Sequence, residues 1–79
     1  MKAEVYQALK EFEQRFQESF PEATFQLTDP YDDDDAAVDV FLHAKAVTYE
    51  DRMKLAEIGA DIEEKYDISI ATLMHAQAT

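Results

Sequence analysis

The sequence predicts a small α/β (α+β) domain in the order helix–strand–strand–helix–strand. Apolar residues recur every three or four positions over residues 3–20 and again over 49–66, which is the spacing of amphipathic helices. Three shorter segments, at 23–28, 36–44 and 68–74, are apolar or alternating, as strands are. A helix between the second and third strands favours a parallel pair, whereas the short link between the first two favours a hairpin. We therefore expect a three-stranded mixed sheet with both helices on one face.

The first helix is predicted to end before Pro21, because proline lacks an amide hydrogen and favours extended geometry in the residue before it. Glu11 and Arg15 lie four residues apart on its polar side and are expected to form an ion pair. The apolar stripe of this helix consists of Val5, Leu9, Phe12, Phe16 and Phe20. We expect its aromatic side chains, together with Phe41 of the second strand, to belong to the core.

The second helix is predicted to begin after Thr48, whose hydroxyl suits an N-cap, with Asp51 completing a variant capping box. It should run to about Tyr66. Its interior contains Gly59, the single glycine of the chain, at a cost of about 1 kcal/mol relative to alanine. We expect this glycine to permit close packing on the sheet. The last strand is apolar on both faces, which predicts that it is central in the sheet.

The composition bounds the possible functions. Seventy-nine residues make one domain, and the net charge of −11 argues against a nucleic-acid binder and against docking on an anionic membrane. The chain has no cysteine, hence no disulfide or thiolate metal site, and no signal segment or long apolar run, so we expect a cytoplasmic protein. A core this small, with one sheet face uncovered by helices, also predicts a homodimer that buries that face.

Six aspartates fall within eleven residues, with no base between them. They are Asp29, Asp32, Asp33, Asp34, Asp35 and Asp39. Three interpretations are open: a solvated loop that keeps the protein soluble, a surface that steers and binds a basic protein partner, or a divalent metal site. Tyr31, an aromatic residue among acids, is typical of interaction hot spots. The predicted interaction site therefore comprises Asp29, Tyr31 and the four aspartates that follow it.

Asp39 differs from the other aspartates because it lies inside a predicted strand, where aspartate is disfavoured. His43 falls on the same face of that strand, so the two side chains are expected within reach of each other. Such a pair can bind a metal or move protons, although a surface ion pair is the interpretation we favour. With Asp35, these residues are the predicted ligands of a divalent cation, Mg²⁺ or Ca²⁺, and no other cofactor is expected. The tail from His75 onward carries no motif and should fray.

The order of elements resembles the minimal nucleotidyltransferase domain of the DNA polymerase beta-like superfamily. Residues 36–42 resemble its Asp-x-Asp strand, and residues 49–70 resemble the helix and strand that follow. Asp39 matches the second aspartate of that motif, but Ala37 occupies the place of the first and Ser69 that of the third family carboxylate. The Gly-Ser pair of the family is missing as well. The resemblance therefore implies a degenerate, non-catalytic relative.

The charge distribution favours an interaction protein. Residues 21–47 carry seven acids and one base, a local charge of −6, whereas residues 1–20, which include the first helix, carry −1 and the second helix carries −3. We expect a non-catalytic regulatory domain, antitoxin-like or inhibitor-like, that binds a basic partner through the 29–39 loop. The alternative is a metal-dependent nucleotidyltransferase-like enzyme that uses Asp39 and Asp35 with Mg²⁺. The sequence has no P-loop, dinucleotide-binding or nucleophile-elbow motif, since one glycine cannot build any of these.

Overall fold

A computed structural model describes residues 3–30 and 33–77, so Tyr31 and Asp32 of the predicted interaction site lie outside the described residues. The predicted α+β architecture is confirmed, with two helices and a three-stranded mixed sheet. The elements are α1 (Ala3–Ser19), β1 (Thr24–Thr28), β2 (Ala36–Leu42), α2 (Tyr49–Tyr66) and β3 (Ile70–Ala76).

The central strand of the sheet is β2, which pairs antiparallel with β1 and parallel with β3. The prediction that the last strand is central is therefore wrong, because β3 lies at an edge. Its predicted bounds were also two residues early, since Ile68 and Ser69 belong to the connection from α2. The strand is apolar on both faces although it lies at an edge, and its outward residues lie on a sheet face that no helix of the described chain covers, where Leu73 is 52% exposed.

The core lies between the two helices and one face of the sheet. Phe12 and Phe16 are fully buried there and Phe20 packs against them, as predicted. Phe41 is not in this core, because β2 presents its even-numbered residues to the helices and its odd-numbered ones to the opposite side. We call this opposite side the open face. It carries Thr24, Gln26, Thr28, Ala37, Asp39, Phe41, Ala71, Leu73 and His75.

Helix α2 begins as predicted. The Thr48 hydroxyl accepts a hydrogen bond from the Asp51 amide at 3.1 Å, and the Asp51 carboxylate accepts one from the Thr48 amide at 3.0 Å. The helix ends at Asp67, which adopts the left-handed conformation at φ 53° and donates its amide hydrogen to the Glu63 carbonyl. The expectation for Gly59 was wrong, because the nearest atoms to its open side belong to the Phe12 ring of α1 and not to the sheet.

The polar contacts between the helices were also predicted with the wrong partners. Instead of pairing with Arg15 in its own helix, Glu11 accepts hydrogen bonds from the Lys65 ammonium at 2.8 Å and the Tyr66 hydroxyl at 2.9 Å. Arg15 pairs with Asp61 of α2 at 3.1 Å. The helices run antiparallel, which places Lys65 beside Glu11 and Asp61 beside Arg15.

These contacts shift three ionisable groups. The pKa of the Glu11 carboxyl is lowered, chiefly because Lys65 and then Tyr66 donate hydrogen bonds to it. The same hydrogen bonds to the Glu11 carboxylate raise the pKa of Lys65 and of Tyr66. The cluster of Glu11, Lys65 and Tyr66 therefore favours a protonated Lys65 and Tyr66 around an ionised Glu11.

We expect Glu11→Gln to lower the melting temperature between about pH 5 and pH 10, and to matter less on either side. Below the ordinary glutamate pKa of about 4.3, the contribution of Glu11 is lost as the pH falls through its lowered pKa. Above the ordinary tyrosine pKa of about 10, the contribution of Tyr66 is lost as the pH rises through its raised pKa, and that of Lys65 follows at a higher pH. Thermal melts from pH 3 to pH 11.5 would measure this.

The control for this prediction is Glu13→Gln, which removes the same charge from an exposed position of α1 that makes no ion pair among the described residues. The difference in melting temperature between Glu13→Gln and the wild type should not shrink at both low and high pH, as the difference for Glu11→Gln should. Identical pH profiles for the two variants would show that the Glu11 cluster does not couple protonation to folding.

Candidate functional site

The acidic loop lies at one end of the sheet, because the strand pairings bring three segments together there. Thr28 is opposite Ala37, so the end of β1 lies beside the start of β2. Ala36 is opposite Ile70, so the start of β3 lies on the other side of β2. We call this region the acidic end. Its members are Asp29, Asp33, Asp34, Asp35, Glu63 and Asp67.

Ser69 is the anchor of the loop. Its carbonyl accepts hydrogen bonds from the amides of Asp35 and Ala36 at 2.9 and 3.2 Å, and its own amide donates to the Asp35 carboxylate at 2.9 Å. Its hydroxyl donates to the Asp34 carboxylate at 2.6 Å. Two of the predicted interaction residues therefore hold the loop against the start of β3, a role that the acidic run in the sequence did not indicate.

The end of α2 adds further negative potential to this region. The Glu63 carboxylate accepts a hydrogen bond from the Ile70 amide at 3.1 Å, which brings its charge to the start of β3. Asp67 terminates the helix, where the carbonyl ends of the peptide units already carry partial negative charge. The nearest base in sequence, Lys65, has its ammonium on Glu11 of α1. The acidic end thus combines several carboxylates with the negative end of a helix dipole.

Asp29 and Asp33 are the members of the acidic end best placed to meet a partner. Both are exposed, and neither makes a side-chain hydrogen bond within the described residues. Asp34 is half-buried, and both Asp34 and Asp35 are engaged with Ser69. The sequence pattern does not distinguish these aspartates from one another. The contacts with Ser69 show that Asp34 and Asp35 hold the loop in place, whereas Asp29 and Asp33 remain available to a partner.

Asp39 lies on the open face, as its position inside a strand suggested, but its partner is not His43. Strand β2 ends at Leu42, and His43 is exposed beyond it. Instead His75 of β3 approaches Asp39, with the His75 Nε2 3.1 Å from the Asp39 Oδ1. Phe41 stacks on the same imidazole at a centroid distance of 4.8 Å and an interplanar angle of 20°.

His75 was missed because the last strand was expected to end at Met74, with a frayed tail after it. The strand instead continues to Ala76, and the register places His75 opposite Phe41. The alternation of Ala71, Leu73 and His75 was the available signal, since residues two apart share a face of a strand. His75 therefore belongs to the sheet, with a stacked ring and a carboxylate partner.

The predicted cation ligands occupy three different environments. Asp35 contacts Ser69 at the acidic end, Asp39 contacts His75 on the open face, and His43 lies past the end of β2. Across residues 3–30 and 33–77, no three His, Asp or Glu side chains are grouped so as to hold a metal ion. A bound Mg²⁺ or Ca²⁺ stays a prediction from the sequence, with no converging ligand set in its favour.

The chain matches no protein-family model, no curated protein and no solved structure at a significant level. The resemblance to nucleotidyltransferase domains therefore stays a prediction. Ser69, which the resemblance would align with the third family carboxylate, anchors the acidic loop. Neither α1 nor α2, the helices of the described residues, has the length and apolar character needed to span a membrane.

Proposed function

We propose that this protein is a non-catalytic interaction domain that binds a basic protein partner through the acidic end. The observation that carries the proposal is the convergence of carboxylates from the β1–β2 loop and from the end of α2 at one end of the sheet. Asp29 and Asp33 are exposed within it and supply the contacts, with Tyr31 and Asp32 of the same loop as further candidates from the sequence.

Electrostatics favours this kind of partner. Like charges held close together produce a negative potential that accelerates encounter with a cationic surface and repels other acidic surfaces. Arginine suits the site well, because its planar guanidinium binds a carboxylate with two parallel hydrogen bonds. Since exposed charges are screened over about 8 Å at physiological ionic strength, binding should weaken steeply with added salt.

The anchoring of the loop contributes to affinity as well. The four hydrogen bonds around Ser69 fix the loop backbone before any partner arrives. A loop that is already ordered avoids much of the entropy loss that a flexible acidic segment suffers on binding. The acidic end is therefore a preorganised surface, whose negative charge is placed by the fold.

The test compares two double substitutions that remove equal charge. Asp29→Asn with Asp33→Asn neutralises the acidic end and leaves the Ser69 anchor intact, whereas Glu18→Gln with Glu22→Gln neutralises exposed acids beyond the opposite end of β1. The probe is a fluorescent synthetic peptide rich in Lys and Arg, titrated by anisotropy at 50 and 300 mM NaCl. We expect about a tenfold loss of affinity for the first variant, equivalent to about 1.4 kcal/mol, and little change for the second.

An equal loss of affinity in both variants would mean that peptide binding depends on net charge alone, and the proposed site would be wrong. Capture of basic proteins from a lysate by the wild type, but not by the variant at Asp29 and Asp33, would extend the result to natural partners. Capture that persists in high salt, or that ignores both variants, would likewise contradict binding through the acidic end.

A further inference from the structure

The outer edge of β3, on the side away from β2, takes no part in the proposed binding of a basic partner. No strand of the described residues pairs with β3 on the side away from β2. Residues 68–79 contain no Asp, Glu, Lys or Arg, although 32% of the chain is charged. Natural proteins usually protect an exposed edge strand with charges, prolines or bulges. Strand β3 has neither a charge nor a proline over its seven residues.

The backbone hydrogen bonds identify which groups of β3 face outward. The Ser69 carbonyl and the Gln77 amide both bond to β2, so the odd-numbered residues between them direct their backbone groups inward. The even-numbered residues therefore direct theirs to the free edge. The first of these, Ile70, already donates its amide hydrogen to Glu63. Thr72, Met74 and Ala76 are left with outward amides and carbonyls.

Helix α2 places apolar side chains beside this edge. Because Glu63 reaches the Ile70 amide, the side of α2 that carries Glu63 is the side next to the edge. Ala56 and Tyr49 lie seven and fourteen residues before Glu63, which puts them on the same side of the helix. Tyr49 is 75% exposed and Met53 is 51% exposed. With Ala56 they line a shallow groove, together with the charged residues Glu50, Lys54 and Glu57.

We propose that a second copy of this chain binds here, with the two β3 strands pairing antiparallel about Met74. In this register Met74 lies opposite Met74 of the second copy, and Thr72 lies opposite Ala76. The two-fold axis generates the Thr72–Ala76 pair twice, so there are three pairs. Each exchanges two hydrogen bonds, which gives about six, and the Ile70 amide keeps its bond to Glu63. The two-fold axis stands perpendicular to the sheet, which places the helices of both copies on the same face. The result is a continuous six-stranded sheet, with the Tyr49 side of each α2 facing the other.

Charge selects a second copy as the occupant of this edge. Two molecules with a net charge of −11 repel, but β3 itself adds no carboxylate to the contact, and in the helix groove Lys54 accompanies Glu50 and Glu57. A basic partner would find a carboxylate only at the start of this edge, where Glu63 is already engaged by the Ile70 amide. One seven-residue strand and a shallow helix groove make a small interface for a specific complex, so we expect a dissociation constant in the micromolar range. This dimer differs from the one expected from the sequence, which covered the open face.

The test is sedimentation velocity over 1–500 µM protein, with matched substitutions at the two edges of the sheet. Leu73 of β3 and Leu27 of β1 are 52% and 50% exposed, so Leu73→Glu and Leu27→Glu add the same charge at similar exposure. We expect the wild type and Leu27→Glu to dimerise. Leu73→Glu should weaken dimerisation at least tenfold, because the carboxylates introduced in the two copies lie diagonally across the two-fold axis and repel each other. Thermal melts would confirm that each variant is folded.

A second substitution tests the helix contribution independently of the sheet. Ala56→Glu places a carboxylate in an exposed groove of α2, where it should not disturb folding but should weaken the dimer. Hydrogen exchange provides a direct readout, because the amides of Thr72, Met74 and Ala76 should become protected as the concentration rises. A monomer at 500 µM, a dimer weakened by Leu27→Glu alone, or concentration-independent exchange at these amides would each overturn the proposal.

Discussion

Phe12→Ala is expected to cost a large share of the free energy of unfolding of this protein. The Phe12 ring is completely buried, packs edge-on against Phe25 with centroids 5.6 Å apart, and lies next to Gly59 of the facing helix. Removing such a side chain costs about 3–5 kcal/mol, because lost burial adds to the cavity that remains. At about 0.05–0.15 kcal/mol per residue, a 79-residue domain has about 4–12 kcal/mol in total. Urea denaturation followed by circular dichroism would measure the loss.

The matched control is Phe41→Ala, which removes the same ring from the open face. Phe41 is only partly buried and stacks on His75 outside the core, so its loss should cost about 1 kcal/mol or less. Equal destabilisation by the two substitutions would contradict a core placed between the helices and the inner sheet face. The same comparison would reveal whether the open face is covered in solution.

Gly59→Ala is expected to stabilise the protein by about 1 kcal/mol. The helical backbone at Gly59 has no positive φ, so alanine is compatible with it and gains the full difference in helix propensity. A Cβ atom built there lies 3.8 Å from the nearest ring atom of Phe12, which is ordinary van der Waals contact. For a domain of this size the melting temperature should rise by about 4–8 °C.

A larger residue at the same position should have the opposite effect. Gly59→Leu keeps a good helix propensity, but its side chain must displace the Phe12 ring, and overpacking of this kind costs about 1–3 kcal/mol. Thermal melts of Gly59→Ala and Gly59→Leu would separate the effect of helix propensity from the effect of packing against Phe12. A destabilised alanine variant would mean that α1 and α2 pack more closely than the 3.8 Å contact implies.

The helices, the hairpin and the parallel crossover could be predicted from the sequence because their signals are local. Pro21 ends the first helix region, and the Thr48–Asp51 capping box starts the second at the expected residue. Such signals act between residues a few positions apart, so they operate before any tertiary contact forms. The buried positions of Phe12 and Phe16 follow from the same helical spacing.

The candidate sites were less predictable because their contacts join residues distant in sequence. The Ser69 anchor of Asp34 and Asp35, the Asp39–His75 contact and the Glu11–Lys65 bond each span more than thirty positions. Each also depends on strand register or helix pairing, which the side-chain pattern of one short segment does not reveal. The sequence pattern paired Asp39 with the wrong histidine, and it offered no means of separating the aspartates that bind Ser69 from those that stay available.

By itself, the sequence determined the class of this protein, the order of its elements and the concentration of acid between the first two strands. Its periodicity, caps and charge count are properties of short segments. Only the tertiary structure shows that β3 is an edge strand, that Gly59 faces a helix, and that Asp34 and Asp35 bind Ser69. The physical reason is that these features depend on which segments pack together, and pairing energies are shared over many distant residues.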